Sequence, residues 1–310
     1  MGYCFVSRFA LASFFSAALV WLGMLAPAQT EPVPSVASRS QQEVRFKLYK
    51  GFAVVVRGSI GEVRNLNFLI DTGSSPTVID RRVARKLRLN LTSAPLSTFT
   101  QRVTVEEATA SDIRLGPAHA DQLRVLVHDL SVLEETLGVR IDAMLGYDFL
   151  GQSPFTIDYR LQSIVFGPID PLLDTVPYAG NLPYVVVHMR VHDEDVPLLV
   201  DTGAHDLIVF EDGLRSIASQ VLDGPAHTWT NLGGTVQVKP LDFSGSFLGA
   251  VPWTDRDAFL LQGARSSPSG FKGLLGVAAL QSGRIAFDPV QHVFAWESKE
   301  PRFASAFAPH

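Results

Sequence analysis

From Val44 onward the chain alternates short apolar runs with turn residues, and the runs are too short for helices of ordinary length. Val44 to Leu48 and Phe52 to Val56 read as strands. Gly58 and Gly61 mark a turn, and Asn65 to Ile70 forms the next strand. Pro76 to Ile79 reads as a return strand. Asp80 then caps a basic helix, Arg81 to Leu89, with Val83 and Leu87 spaced i, i+4 on one face. The order recurs further on: Tyr184 to Val187 is a strand, Leu198 to Val200 a second, Leu207 to Phe210 a return, and a helix falls around Leu214 to Leu222. Between the two series, Pro168 to Pro183 holds four prolines and reads as an extended linker. Gly245 to Gly249 and Gln262 to Gly270 read as loops. This texture of short strands and turns predicts an all-β class with a few short helices.

Two of the apolar runs end alike. Phe68-Leu69-Ile70 runs into Asp71-Thr72-Gly73-Ser74-Ser75, and Leu198-Leu199-Val200 into Asp201-Thr202-Gly203-Ala204-His205. Each run delivers a carboxylate to the end of a core strand, where aspartate is rare unless paired or hydrogen-bonded. The aspartates stand 130 residues apart, and the same shift carries other landmarks. Asp142 to Gly146 lands on Lys272 to Gly276, Phe155 to Asp158 on Ile285 to Asp288, and Thr98 to Thr100 on Thr228 to Thr230. A single Asp-Thr-Gly is weak; two in one register predict homologous halves with facing carboxylates.

Composition narrows the classes. With 310 residues and a 46% apolar content the chain can build one large domain or two ordinary ones. The net charge of −5 is unclustered, which gives no nucleic-acid surface. Arg8 is the only charge before Glu31, and Ala26-Pro27-Ala28 matches a signal-peptidase site, so residues 1–28 read as a signal peptide cleaved after Ala28. The uncharged stretch from Phe9 to Thr30 is also long enough to span a bilayer as an uncleaved anchor. Either way the rest is exported, to the periplasm or the medium, and meets a membrane only if that segment is retained. Cys4 is the only cysteine, so cleavage leaves no thiol for a disulfide or a nucleophile. Residues 29–43 read as a flexible leader and 297–310 as a tail. The eight histidines show no metal-ligand spacing, and no nucleophile elbow or phosphate loop is present; no metal and no cofactor are expected.

Apolar-apolar-Asp-Thr-Gly-Ser/Ala followed downstream by apolar-apolar-Gly resembles the aspartic peptidases, pepsin-like and retropepsin-like. Here the pattern occurs twice, with Leu145-Gly146 and Leu275-Gly276 as the downstream elements. The Ser74 copy is similar to the pepsin-like form, the Ala204 copy to the retroviral one. The resemblance implies two homologous acid-protease-type β-barrel lobes, 44–167 and 184–296, joined by 168–183, with the active site at their interface. It implies Asp71 and Asp201 as catalytic and a polypeptide as substrate. Because both halves lie in one chain, it also implies a working monomer. Thr72 and Thr202 would hydrogen-bond across the interface, and Gly73 and Gly203 would let backbone N–H groups approach the carboxylates. Leu145-Gly146 and Leu275-Gly276 would keep the loops dry. Flaps are expected at Phe99 to Val105 and Trp229 to Thr235, with Phe99, Trp229, Gly233 and Gly234 as candidates; Phe99 and Trp229 serve a core equally well. Ser74 can hydrogen-bond Asp71, whereas Ala204 offers Asp201 nothing comparable, so Asp201 is expected to be the less stabilised anion and the working range to extend above strongly acidic pH. His205 departs from both family forms. The alternative is an exported peptide-binding or sensor protein that keeps the fold without activity. Asp-Thr-Gly also opens phosphotransfer loops, but in parallel α/β surroundings unlike this all-β pattern.

Overall fold

In a computed structural model, residues 42–97, 102–171, 173–213, 221–231, 234–254, 257–264 and 270–297 are described. Strands dominate them. The first half contributes β1 (Glu43–Tyr49), β2 (Ala53–Ile60), β3 (Val63–Ile70), β4 (Val78–Asp80), β5 (Thr92–Ser97), β6 (Arg102–Leu115), β7 (Ala118–His128), β8 (Ala143–Leu145), β9 (Phe155–Asp158) and β10 (Ser163–Phe166). Its helices are short: α1 (Arg81–Lys86), α2 (Ser131–Leu137) and α3 (Tyr147–Leu150). β11 (Asp174–Pro177) leads to β12 (Val186–Val191), β13 (Glu194–Asp201), β14 (Leu207–Phe210), β15 (His227–Asn231) and β16 (Gly234–Leu241). β17 (Ser246–Leu248), β18 (Val251–Trp253), β19 (Ala258–Leu261), β20 (Gly273–Gly276), β21 (Arg284–Asp288) and β22 (Val293–Trp296) complete the order. The all-β class is as expected.

The continuous apolar runs have a structural cause. β8 lies between β3 and β4, parallel to β3 (Ile70 opposite Leu145) and antiparallel to β4. β20 lies in the same way between β13 and β14, with Val200 opposite Leu275. These central strands are covered on both faces, so both faces are apolar. Alternate residues serve different layers. Phe68, Ile70, Leu198 and Val200 enter one large shared core; Leu69 packs into a cluster of the first half with Val55 and Met144, and Leu199 into one of the second half with Ile208 and Leu274.

The halves also share a sheet. Its strands run in the order β11-β22-β21-β9-β10-β1, and β9 pairs antiparallel with β21. Thr156 sits opposite Ala286, residues 130 apart, so the pairing is related by a local twofold. Phe155 stacks on Phe287 there, ring centroids 4.7 Å apart.

Several local expectations change. Asp80 does cap α1, its Oδ1 accepting from the Arg82 N–H at 2.8 Å, but the helix stops at Lys86 with Leu87 as its cap. Gly58 lies inside β2, beside a register shift, rather than in a turn; a Cβ there would strike the Phe68 ring on β3. The proline-rich 168–183 segment is not a free linker throughout: β11 hydrogen-bonds along β22 at a sheet edge, where proline is tolerated. Gly245 to Gly249 contains β17, paired with β12 and β18, because Ser246 and Leu248 face inward. Of the helix expected around Leu214 to Leu222, residues 214–220 lie outside the described residues. Phe99, Gly233, the signal segment and 298–310 of the tail do as well.

Candidate active site

Two buried strands end at the two aspartates. β13 ends on Asp201, and β3 stops one residue short of Asp71, whose N–H donates to the Leu145 carbonyl at 3.0 Å. Each loop then turns back on its own carboxylate: the Gly73 N–H donates to Asp71 Oδ1 at 2.9 Å, and the Gly203 N–H to Asp201 Oδ1 at 2.8 Å. The glycines are needed for a second reason. A Cβ on Gly203 would lie 2.8 Å from Cγ of Asp71, and one on Gly73 would overlap the Asp201 carboxyl. The loops therefore face each other, and the two carboxyl groups share a hydrogen bond.

The threonines lock this arrangement. The Thr72 hydroxyl donates to the Val200 carbonyl at 2.8 Å and accepts from the Thr202 N–H at 3.1 Å. The Thr202 hydroxyl donates to the Ile70 carbonyl at 2.9 Å and accepts from the Thr72 N–H at 2.9 Å. Both threonines are fully buried, so each loop uses the other to satisfy backbone groups it cannot pair itself. Leu145 and Leu275 are fully buried beside the loops, and Gly146 and Gly276 sit where a Cβ would lie 2.5 Å from the Ser74 and Asp206 carbonyl oxygens.

Burial pushes the Asp71 carboxyl well above the usual carboxylate range, and the charge of Asp201 pushes it the same way. Burial also raises Asp201, while hydrogen bonds from the Asp71 carboxyl and from the Gly203 and Ala204 N–H groups favour its anion. The N–H groups of Gly73 and Ser74 favour the Asp71 anion in the same way, so the two carboxyls hold one proton between them as a pair. The Ser74 hydroxyl donates to the Pro76 carbonyl at 3.0 Å, closing a local turn, and does not serve Asp71, so the asymmetry expected from Ser74 lacks its hydrogen bond.

Of the flap candidates, Trp229 and Gly234 are described. Trp229 lies on β15 opposite Val236 and packs against the second half's core cluster, and Gly234 opens β16 opposite Asn231. Phe99 and Gly233 lie outside the described residues.

Sequence reasoning missed a brace beneath the first loop. Asp148, in α3, accepts from the Thr77 N–H at 2.9 Å, the Thr77 hydroxyl at 2.7 Å and the Phe149 N–H at 3.0 Å. The Thr77 hydroxyl in turn accepts from the Gly146 N–H at 3.0 Å, and the Tyr147 N–H donates to the Ser74 carbonyl at 2.8 Å. The 130-residue shift maps Thr77 and Asp148 onto Leu207 and Ala278, so the repeat itself hid them. On that side the second loop meets backbone donors: the N–H groups of Gly276, Val277 and Ala279 donate to the carbonyls of Asp206, Ala204 and His205. Asp148→Ala leaves two Thr77 donors without their acceptor and is expected to cost about 2–4 kcal/mol, read as a lower denaturation midpoint at unchanged slope. Among the described residues no group of three or more His, Cys, Asp or Glu side chains is placed to hold a metal ion.

Residues 56–149 match the aspartyl protease family. The chain matches no curated protein. The aspartyl protease match covers β3, the Asp71 loop, Leu145-Gly146 and Asp148, and supports membership of the chain in such a family. Asp201 and its loop lie beyond the matched span; their place opposite Asp71 comes from the geometry.

Proposed function

We propose that this protein is an aspartic endopeptidase with two homologous lobes, 44–167 and 184–296, that hydrolyses peptide bonds with water activated between Asp71 and Asp201. The observation that carries the reading is the pair of cross-bonded Asp-Thr-Gly loops with their carboxyl groups in hydrogen-bond contact. Like charges this close cannot both ionise cheaply, so one proton is shared. The ionised member of the pair takes a proton from the water as it attacks the scissile carbonyl carbon. The protonated member hydrogen-bonds the carbonyl oxygen, and the protons are redistributed to the leaving amine as the tetrahedral adduct collapses. The nucleophile is water, so no covalent intermediate with the protein forms. The enzyme acts as a monomer on exported polypeptides, either released after Ala28 or tethered by its N-terminal segment.

The test is cleavage of a denatured protein across a pH series, with a statine-type transition-state mimic as inhibitor. Cleavage blocked by the mimic is expected, and no cleavage at any pH overturns the reading. The pH profile carries a second expectation. Both carboxyls are raised, so the singly protonated pair persists above the range in which an ordinary aspartate titrates, about pH 3.9. Activity is therefore expected to continue well above about pH 4 and to fall as the last proton leaves. A profile confined below that value contradicts the pairing.

A further inference from the structure

The twofold arrangement of the dyad poses a question that its own residues do not answer. A symmetric pair of carboxylates is indifferent to the direction in which a peptide lies across it, so direction must be set by what flanks the pair. Across the two active loops, 71–76 and 201–206, the ionisable side chains besides the dyad are His205 and Asp206. All of the charge difference between the loops comes from these two.

Their geometry is specific. His205 Nδ1 lies 2.6 Å from Asp206 Oδ1, and the imidazole edge meets Phe52, ring centroids 5.4 Å apart. Phe52 belongs to the β1–β2 turn of the other half, so the contact crosses the interface beside the dyad. The side chain of His205 is 52% exposed, and with Nδ1 engaged its free polar atom is Nε2. Its backbone is fixed, because its carbonyl accepts from the Ala279 N–H at 3.1 Å.

The twofold-related end is different. Ser75 stands where His205 stands, and Tyr184, from the turn before β12, donates its hydroxyl to the Ser75 carbonyl at 3.1 Å. The turn there reads Gly180-Asn181-Leu182, uncharged itself but with the His292 imidazole against Gly180, and the charge of Asp148 is felt at Tyr184. Next to its active loop one end thus offers an imidazole held by Asp206 and walled by Phe52, and the other a tyrosine hydroxyl that feels the charge of Asp148.

We propose that His205 is a specificity-determining residue: with Phe52 as its wall, it selects peptides that carry an acidic side chain on one side of the scissile bond. The proposal rests on the assignment of Asp71 and Asp201 as the dyad. A protonated imidazole donates its Nε2–H to a substrate carboxylate, Asp206 holds the ring in place, and the Asp148 end disfavours the same side chain.

The test is digestion of a proteome-derived peptide library by the purified full chain at about pH 5, with cut sites read by mass spectrometry. The expected result is about fivefold enrichment of Asp and Glu over Asn and Gln at a position on one side of the cut, the effect of about 1 kcal/mol for a partly exposed ion pair. His205→Ala should reduce the ratio to one or below, because the Asp206 carboxylate then loses its imidazole partner. His205→Lys should retain it, and His205→Glu should invert it toward Lys and Arg. These ratios are internal to each digest, so a less stable variant still reports. Equal preference on both sides, no acidic preference, or a preference surviving in His205→Glu overturns the proposal while leaving the peptidase reading intact. A library that the wild type leaves uncut overturns both.

Discussion

Asp71→Asn is expected to abolish peptide cleavage and, near pH 7, to make the protein more stable. The first effect follows from the shared proton. Asparagine cannot give up a proton to the leaving group, and without a second carboxylate the pair loses the coupling that keeps one carboxyl protonated beside an ionised one. General acid–base catalysis of this kind contributes about 100- to 10,000-fold, and the loss of kcat should be at least that large, with Asp201→Asn behaving alike. The stability effect follows from linkage. Both folded-state carboxyls titrate above their unfolded values, so their favourable contribution is complete below the unfolded pKa and is lost as the pH rises through the folded ones. Near pH 7 the wild type must take up a proton on folding or bury a second charge, a cost that the asparagine variant does not carry. The variant should therefore melt at a higher temperature there, with the gap closing as the pH falls below about 4, where an unfolded aspartate is also protonated. Comparison of melting temperatures at the two pH values settles it. An asparagine variant less stable than wild type at neutral pH would mean that the carboxyls are not in conflict. A site that is unstable because it is functional is a common compromise.

Much of this site is legible in the chain because the residues that build it are adjacent. The apolar runs before Asp71 and Asp201 announce strands buried on both faces, and the aspartate at the end of each has few explanations in such a place. What the sequence hides is whatever depends on a neighbour from elsewhere in the chain. Gly58 reads as turn chemistry; its reason is the Phe68 ring on the next strand. The proline-rich stretch reads as linker, yet β11 finds an edge on β22, more than a hundred residues later. Repetition helps and misleads at once. It brings out Leu275-Gly276 and the β9–β21 pair, but it hides Thr77 and Asp148, whose counterparts Leu207 and Ala278 carry no polar group. Ser74 shows the limit of reading a side chain by its neighbours in sequence: a hydroxyl three residues from a carboxylate turned to the Pro76 carbonyl two residues away.

The threonine lock gives the largest expected effect on stability. Thr72→Val keeps the shape of the side chain and removes its oxygen. The Thr202 N–H then loses its acceptor in a fully buried place, and the donor to the Val200 carbonyl disappears. Two lost buried hydrogen bonds, with one N–H left unpaired, are expected to cost about 2–5 kcal/mol. Thr202→Val removes the mirror pair, to the Thr72 N–H and the Ile70 carbonyl, and should cost a similar amount because the distances match within 0.2 Å. Activity should fall with stability. The threonines hold the two loops at the spacing that lets the carboxyls share a proton, and a misplacement of about 1 Å is worth roughly 100-fold in rate. Thr72→Ser restores the oxygen and should recover most of both. The double valine variant separates two accounts of the lock. The four bonds are divided between the two side chains without overlap, so independent bonds predict additive losses. A rigid unit in which either half collapses with the other predicts a double variant little worse than the singles, a coupling of about 0.5–3 kcal/mol in a denaturant-based double-mutant cycle. The second outcome is expected, because each loop satisfies its buried backbone only through the other. Wild-type denaturation midpoints in both single variants would show that the cross-bonds contribute nothing to the fold.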